Sequence, residues 1–288
     1  MRLVITGANG QVGRELVEMC HRLGDDVIYY AHHDLDIADQ HAVRAVISQH
    51  RPEAVVNCAA LTATETCESN RALAMRVNAD GAGYVAVESR RVGAHLVHLS
   101  TDYVFSGDKG APYTEDDEPG PINVYGQSKL AGEHAVLEAF PEATVVRTSW
   151  VCGAHGKNVV RTVLRLANEH ATLRFVNDQY GSPTFTADLA PLLRSLADGH
   201  VNGLVHATND GVATWFDVAR SVLEAAGHDP NRVTAIPTED LQPAPTLRRP
   251  KYSALANTRL EPLGSSLLPP WEPSLRQLVY QLVQQGKR

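Results

Sequence analysis

Short apolar runs alternate with longer amphipathic stretches through the first half of this chain. The runs at 3–6, 27–30, 54–57, 95–100 and 144–148 are rich in β-branched residues and bounded by polar residues or glycine, as strands are. Between them, 11–23, 39–50, 70–92 and 123–139 carry apolar positions at helical spacing. Strand and helix alternating at this interval make right-handed βαβ units, and so a parallel sheet with helices on both faces. The predicted class is α/β, a doubly wound sheet of the Rossmann type. Ligands of such a sheet sit outside the carboxyl ends of its strands.

Past residue 150 the rhythm loosens. Helices are predicted at 156–169, 186–197 and 215–226, and strands at 173–176 and 204–206. A proline-rich stretch at 237–250 follows, and Pro269-Pro270-Trp271 introduces a last helix through 282. We therefore expect residues 1–150 to form a dinucleotide-binding domain to which later segments return. Residues 151–288 are expected to form mainly a smaller α/β substrate-binding cap. No repeat or low-complexity segment interrupts this plan.

Composition narrows the class. The 288 residues, 43% hydrophobic and 20% charged, fit a globular protein with a full core. The net charge of −7 gives no electrostatic footprint for nucleic acid or an anionic membrane. The start of the chain lacks a leader pattern and no apolar run has spanning length, so a cytoplasmic location is expected. Cysteines at 20, 58, 67 and 152 show no C-x-x-C spacing and read as reduced thiols. Thirteen histidines invite a metal reading, but His95 and His98 lie three apart on one strand and face opposite ways. No metal site is predicted on that geometry.

The segment Thr6-Gly7-Ala8-Asn9-Gly10-Gln11-Val12-Gly13 follows a strand and opens a helix. Glycines at G-x-x-G-x-x-G spacing let the backbone turn tightly and approach a pyrophosphate, whose charge meets the first amides of the helix. A ligand-free glycine turn has the same letters, but the strand before and the helix after are the context such a motif requires. Gly7, Asn9, Gly10, Gln11 and Val12 are thus candidate cofactor contacts. An acid at the end of the second strand would bind a ribose 2′-hydroxyl and repel a 2′-phosphate. This strand ends Tyr29-Tyr30-Ala31-His32-His33, with His32 and Arg14 able to approach a phosphate. NADPH is favoured over NADH, although Asp34 is close enough to keep NADH open. Asp36 and Ile37 suit an adenine edge and face, with helix capping the alternative role for the acid. Asn57-Cys58-Ala59-Ala60-Leu61-Thr62 ends the third strand, where small residues permit close approach to the cofactor at Ala60, Leu61 and Thr62 or equally serve helix-sheet packing.

Tyr125-Gly126-Gln127-Ser128-Lys129 is Tyr-x-x-x-Lys, which on a helix puts phenol and ammonium on one face. A free phenol titrates near ~10, so an unassisted tyrosine is a poor acid at neutral pH, and a fixed cation lowers that value. Tyr125 could then protonate a carbonyl oxygen as hydride reaches its carbon, with Thr101 of Ser100-Thr101-Asp102-Tyr103-Val104-Phe105 giving a second hydrogen bond. Alone, the spacing also occurs by chance in amphipathic helices.

The glycine turn, Asn57-Cys58-Ala59-Ala60, the Ser-Thr-Asp-Tyr-Val-Phe segment and Tyr-x-x-x-Lys, in that order, resemble the extended short-chain dehydrogenase/reductases. Within them the chain is most similar to the dTDP-4-dehydrorhamnose reductase family. Further segments carrying the likeness are Val77-Asn78-Ala79-Asp80-Gly81, Lys129-Leu130-Ala131-Gly132-Glu133, Arg147-Thr148-Ser149-Trp150-Val151 and Asn177-Asp178-Gln179-Tyr180-Gly181-Ser182-Pro183-Thr184. The likeness covers the whole chain. It implies NADPH or NADH as hydride donor, a dTDP-linked 4-keto-6-deoxysugar as substrate, and a monomer or homodimer. It implies that Thr101 and Tyr125 bind and protonate the C4 oxygen, and that Lys129 holds the nicotinamide ribose and tunes Tyr125. Asp102 and Trp150 would meet the sugar nucleotide, although a tryptophan at a strand end also serves as plain packing. Some members hold non-catalytic Mg²⁺ at a dimer contact through glutamates, of which Glu15 matches one.

The chain departs from the family pattern at Leu61, at Glu65-Thr66 and at Cys152, positions expected to border the cofactor and sugar pockets. Arg248-Arg249 could clamp a diphosphate or stand solvated, and Asp178-Gln179 could reach substrate or build a turn. The acidic run Glu115-Asp116-Asp117-Glu118 reads as an exposed turn. Three alternatives to the rhamnose-forming reductase remain: a sibling reductase of another dTDP-4-keto-6-deoxysugar in specialised metabolism, a non-catalytic NADP-binding regulator of the methionine adenosyltransferase type, and an epimerase or dehydratase. A complete Thr101, Tyr125, Lys129 and Trp150 set argues against the regulator. The single acid after Thr101 argues for simple reduction over dehydration.

Overall fold

The computed structural model describes residues 1–199, 201–243 and 246–286. The first half runs β1 (Arg2–Thr6), α1 (Gln11–Arg22), β2 (Asp26–Tyr30), α2 (Gln40–His50), β3 (Ala54–Asn57), α3 (Thr64–Ser69), α4 (Arg71–Met75), α5 (Gly81–Val92), β4 (His95–Thr101), α6 (Val124–Ala139) and β5 (Thr144–Thr148). The second half holds β6 (Val151–Cys152), α7 (Val159–Glu169), β7 (Leu173–Val176), β8 (Tyr180–Gly181), β9 (Thr184–Phe185) and α8 (Thr186–Gly199). It continues with β10 (Gly203–His206), β11 (Ala213–Thr214), α9 (Trp215–Ala225), β12 (Val233–Ile236) and α10 (Trp271–Gly286). No helix of the described residues is long and apolar enough to cross a membrane.

Six strands form one sheet in the order β10-β5-β4-β3-β1-β2, and every pairing is parallel. A parallel sheet covered on both faces needs apolar residues on both sides of each strand. β1 supplies them: Leu3 and Ile5 enter the core under α1 and α8, whereas Val4 enters the core under α2, α5 and α6. The chain reverses direction across the sheet between β1 and β3, whose carboxyl ends are tied by a 2.6 Å hydrogen bond from Thr6 Oγ1 to Asn57 Oδ1. A crevice opens at such a switch point. The sixth strand, β10, comes from beyond residue 200, and α8 packs on α1, so both return to the first domain's layers.

The stretch 70–92, which reads as one helix, contains a π turn at Arg76–Asp80 between α4 and α5. That turn brings the buried Asn78 against the end of β3: Asn78 Oδ1 accepts from Leu61 N at 2.7 Å and Nδ2 donates to Leu61 O and Ser128 Oγ. A regular helix would rotate this amide away, which is why π turns accompany such sites. The acidic run at 115–118 is also not wholly exposed. Glu115 is buried and accepts from His206 N, Arg259 N and Thr258 Oγ1, stitching β10 to the 256–259 loop.

The remaining elements build a smaller α/β layer. β7 pairs with β12, β8 with β11 and β6 with β9, under a core that includes Val160, Val163, Val218, Val222, Leu275 and Val279. α9 begins with a capping box in which Thr214 Oγ1 accepts from Asp217 N and the Asp217 carboxylate accepts from Thr214 N. Such reciprocal capping satisfies two otherwise orphaned amides. Asp178 and Gln179 serve the same layer, both bonding Thr238 beyond β12.

Candidate active site

A cavity of about 540 Å³ lies at the carboxyl ends of the strands. One end is walled by Gly7, Asn9, Gly10, Gln11, Val12, His32 and Ile37, and the other by Thr101, Asp102, Tyr125, Lys129, Trp150 and Trp215. Ala60 and Thr62 border it between the two ends. A larger cleft, about 660 Å³, lies between α1, α8 and α10 and shares no residue with this cavity. It contains none of Thr101, Tyr125 and Lys129.

The glycine turn has the geometry a diphosphate needs. Gly7 has φ +69°, and a Cβ there would lie 2.6 Å from Ala59 N. A Cβ on Gly13 would lie 2.4 Å from Gly7 O, so α1 can sit this close to the turn only with glycine. Gly10 caps α1 without a side-chain hydrogen bond, leaving the first amides of α1 to serve an anion. The residues present therefore fit a dinucleotide. His32 reaches the cavity wall, but Arg14 does not; it pairs with Glu18 at 3.3 Å on the surface. Asp34 accepts from Ala31 N, closing the turn after β2, and stays exposed beside His33. Asp36 and Leu61 are not part of the wall. Asp36 accepts from Ala38 N, closing its own turn, and Leu61 is held by Asn78.

β4 delivers Thr101 and the first two turns of α6 deliver Tyr125 and Lys129. Asn123 fixes where α6 starts, accepting from Gly126 N through Oδ1 and donating to Arg248 O through Nδ2. A Cβ on Gly126 would lie 2.1 Å from Tyr103 O, so glycine lets the helix start pack on the turn at Asp102–Val104. Tyr103 and Tyr125 consequently meet edge to face at 5.6 Å. Thr101 accepts from Tyr103 N and donates to Asp102 Oδ1 at 3.1 Å, and Ser253 Oγ donates to the other oxygen, Asp102 Oδ2, at 2.5 Å.

Burial dominates the electrostatics. It pushes the Asp102 carboxyl up to about 7 against the opposing hydrogen bonds of Ser253 and Thr101. It lowers Lys129 to about 8, opposed by the Glu133 carboxylate one turn along α6. Lys129 Nζ donates to Leu99 O at 2.7 Å. Tyr125 was expected to titrate low; burial instead raises it, and the Thr101 hydroxyl beside it works in the other direction. Loss of phenolate hydration outweighs the neighbouring donors, so the phenol stays protonated at neutral pH.

Behind these side chains lies a buried pair that the residue pattern did not single out. Arg147 binds Glu133 through Nε at 2.9 Å and Nη2 at 2.7 Å, and Ser100 Oγ donates to the same carboxylate at 2.5 Å. The pair ties α6 to β4 and β5 directly beneath Lys129. Its sequence signal was the position of Glu133 four residues after Lys129, on the same helix face. Trp215 had no comparable signal, because nothing local shows that the first residue of α9 reaches the cavity.

Known proteins resolve the resemblance. The model of the RmlD substrate binding domain matches residues 1–284. The chain belongs to the dTDP-4-dehydrorhamnose reductase family. It is 46% identical over 281 residues to a dTDP-4-dehydrorhamnose reductase of Mycobacterium tuberculosis (strain ATCC 25618 / H37Rv), covering 95% of this chain and 91% of that protein. It is 41% identical over 277 residues to a dTDP-4-keto-6-deoxy-D-glucose reductase of Streptomyces niveus, covering 96% of each. Among solved structures it superposes on a dTDP-4-dehydrorhamnose reductase from Bacillus anthracis in complex with NADP, with TM-score 0.92 and 40% identity, covering 97% of this chain and 99% of that one.

The departures from the family pattern fall outside the cavity. Leu61 and Cys152 do not line it, and Cys152 faces the larger cleft. Glu65 pairs with Arg249 Nη2 at 3.0 Å, joining α3 to the loop before Lys251. The Mg²⁺ contact implied by some members does not fit this chain. Glu15 accepts from Thr186 Oγ1, glutamines 277, 281, 284 and 285 line the cleft around it, and no three His, Cys, Asp or Glu side chains converge among the described residues.

Proposed function

We propose that this protein reduces the C4 ketone of dTDP-4-dehydro-L-rhamnose to dTDP-L-rhamnose with NADPH. The observation that carries this reading is a single cavity bounded at one end by the glycine turn and at the other by Thr101, Tyr125 and Lys129. NADPH, when bound, supplies the hydride to C4. The turn 7–13 would hold its diphosphate, His32 favours a 2′-phosphate, Ile37 offers an adenine face, and Lys129 would hold the nicotinamide ribose.

Tyr125 gives its phenolic proton to the C4 oxygen as negative charge gathers there. A buried phenol alone resists this loss, so the Lys129 ammonium offsets the developing phenolate. Thr101 donates a second hydrogen bond to the same oxygen. Its proton points at Asp102 while that carboxyl is ionised. When Asp102 is protonated it can donate to Thr101 Oγ1 instead, which frees the threonine proton for the ketone.

The test is NADPH oxidation with freshly generated dTDP-4-dehydro-L-rhamnose, for the wild type and for Tyr125→Phe. The variant should lose about 10²- to 10⁴-fold in kcat with NADPH affinity unchanged. Turnover near the wild-type rate would overturn the role of Tyr125. The likeness to the Streptomyces niveus reductase supports one second reading, reduction of dTDP-4-keto-6-deoxy-D-glucose. Comparing kcat/KM for the two sugars, with NADPH and with NADH, separates them.

A further inference from the structure

The side chain of Gln11, the first residue of α1, is bonded to the segment that runs from β5 into the smaller layer. Its Nε2 donates to Val151 O at 3.2 Å, and its Oε1 accepts from Gly153 N at 3.1 Å and from Asn158 Nδ2 at 2.8 Å. Both ends of the carboxamide are used, so this side chain is committed to residues 151–158. The segment is shaped around it. Asn158 Nδ2 also donates to Gly153 O at 2.9 Å, while Asn158 Oδ1 caps α7 by accepting from Arg161 N. Gly156 has φ +73°, and a Cβ there would lie 3.0 Å from Gln11 Cγ, so glycine lets the loop close on the glutamine stem.

One residue thus belongs to both halves of the site. The backbone amide of Gln11 is in the first turn of α1, among those that a helix leaves without partners at its start. Its carboxamide holds Val151, which lines the same cavity next to Trp150. Val151 pairs with Thr184 on β9 and Asn158 opens α7, so the tie enters the smaller layer at two points. A dinucleotide seated on the glycine turn would restrain the first turn of α1. Restraint passed along hydrogen bonds lowers the ordering cost of a second ligand.

Resting on the proposed pairing of NADPH with a dTDP-sugar, we propose that Gln11 is a positioning residue that couples the two ends of the cavity. With the dinucleotide on the glycine turn, its carboxamide holds residues 151–158 in place for the sugar nucleotide. Each ligand then strengthens the binding of the other by the same factor. Direct contact between nicotinamide and sugar would add coupling of its own, but that part survives when the Gln11 tie is cut.

The experiment titrates dTDP-L-rhamnose by calorimetry into wild type, Gln11→Ala and Asn158→Ser, each without and with saturating NADPH. Product sugar and reduced cofactor cannot react, so only binding is read. NADPH should strengthen dTDP-L-rhamnose about five- to tenfold in the wild type and about twofold or less in Gln11→Ala, with Asn158→Ser between them. Serine keeps the cap of α7 and removes the donor to Gln11, so Asn158→Ser should bind the sugar nucleotide normally when NADPH is absent. A wild type without coupling would overturn the inference, as would a variant whose affinity falls equally with and without NADPH, the mark of a merely structural role. Failure of the wild type to bind dTDP-L-rhamnose at all would instead overturn the substrate reading on which the coupling rests. If Gln11→Ala no longer binds NADPH, the factor in Asn158→Ser alone decides: a reduced factor upholds the tie and a wild-type factor overturns it.

Discussion

The two walls of the cavity are built in different ways. The cofactor and acid side rests on a six-stranded sheet buried on both faces, so the positions of Gly7, Thr101 and Thr148 follow from strand register. The substrate side rests on paired strands of two residues, β8 with β11 and β6 with β9, and on aromatic stacking between segments distant in sequence. The contrast teaches that the groups proposed for proton chemistry are fixed by repetitive backbone order. Those at the opposite wall, proposed to meet the sugar, are fixed by a few side-chain contacts on a smaller layer.

The largest effect that would test this contrast is at Glu133. Removing one partner of a buried ion pair leaves an uncompensated charge, and Glu133→Ala should destabilise the protein by about 3–5 kcal/mol in a urea titration. NADPH affinity should fall with it, because α6 and β5 lose their tie. A loss below about 1 kcal/mol would show that the sheet does not depend on this pair.

Asp102 sharpens the comparison through pH, since its Ser253 partner belongs to the substrate side and its Thr101 partner to the sheet. Its folded value of about 7 lies above the ordinary 3.8, so the native protein binds more protons across that interval. Its stabilising contribution is full below the ordinary value and is lost as pH rises to about 7. The unfolding free energy of wild type minus that of Asp102→Asn should therefore decline steadily over this range. A flat difference would mean that the carboxyl is not held neutral by burial.

The smallest effect should come from the cap of α9. Thr214→Ala removes the capping box and should cost about 1 kcal/mol. Because Trp215 follows directly, the KM for the sugar nucleotide should rise while that for NADPH stays constant. Parallel changes in both would break the division between the two walls.

Most of the sheet was legible in sequence because β-branched runs bounded by polar residues leave little choice of element. All five predicted strands of the first half appear within a residue at each end, as do the parallel pairings they imply. The glycine turn and Tyr-x-x-x-Lys were legible for the same local reason: their spacing acts within one turn or one helix face. Glu115 was misread because its acidic neighbours suggest solvent, whereas its partners, His206, Thr258 and Arg259, lie far along the chain. The π turn at 76–80 escaped because periodicity does not distinguish one extra residue in a long helix.

The sequence alone set the layered α/β plan, the glycine turn that opens α1, and the candidacy of Thr101, Tyr125 and Lys129, which the fold brings to one cavity. Tertiary structure alone decided that Arg147 pairs with Glu133, that Asp102 links Thr101 to Ser253, and that Trp215 stacks on Trp150. The physical reason is range. Helical and strand spacing, glycine conformation and capping act over a few residues and leave a pattern in the chain. Desolvation, ion pairing and ring stacking act between segments that only the completed fold brings together, and it is desolvation that raises Tyr125 where a local view of Lys129 predicted the reverse.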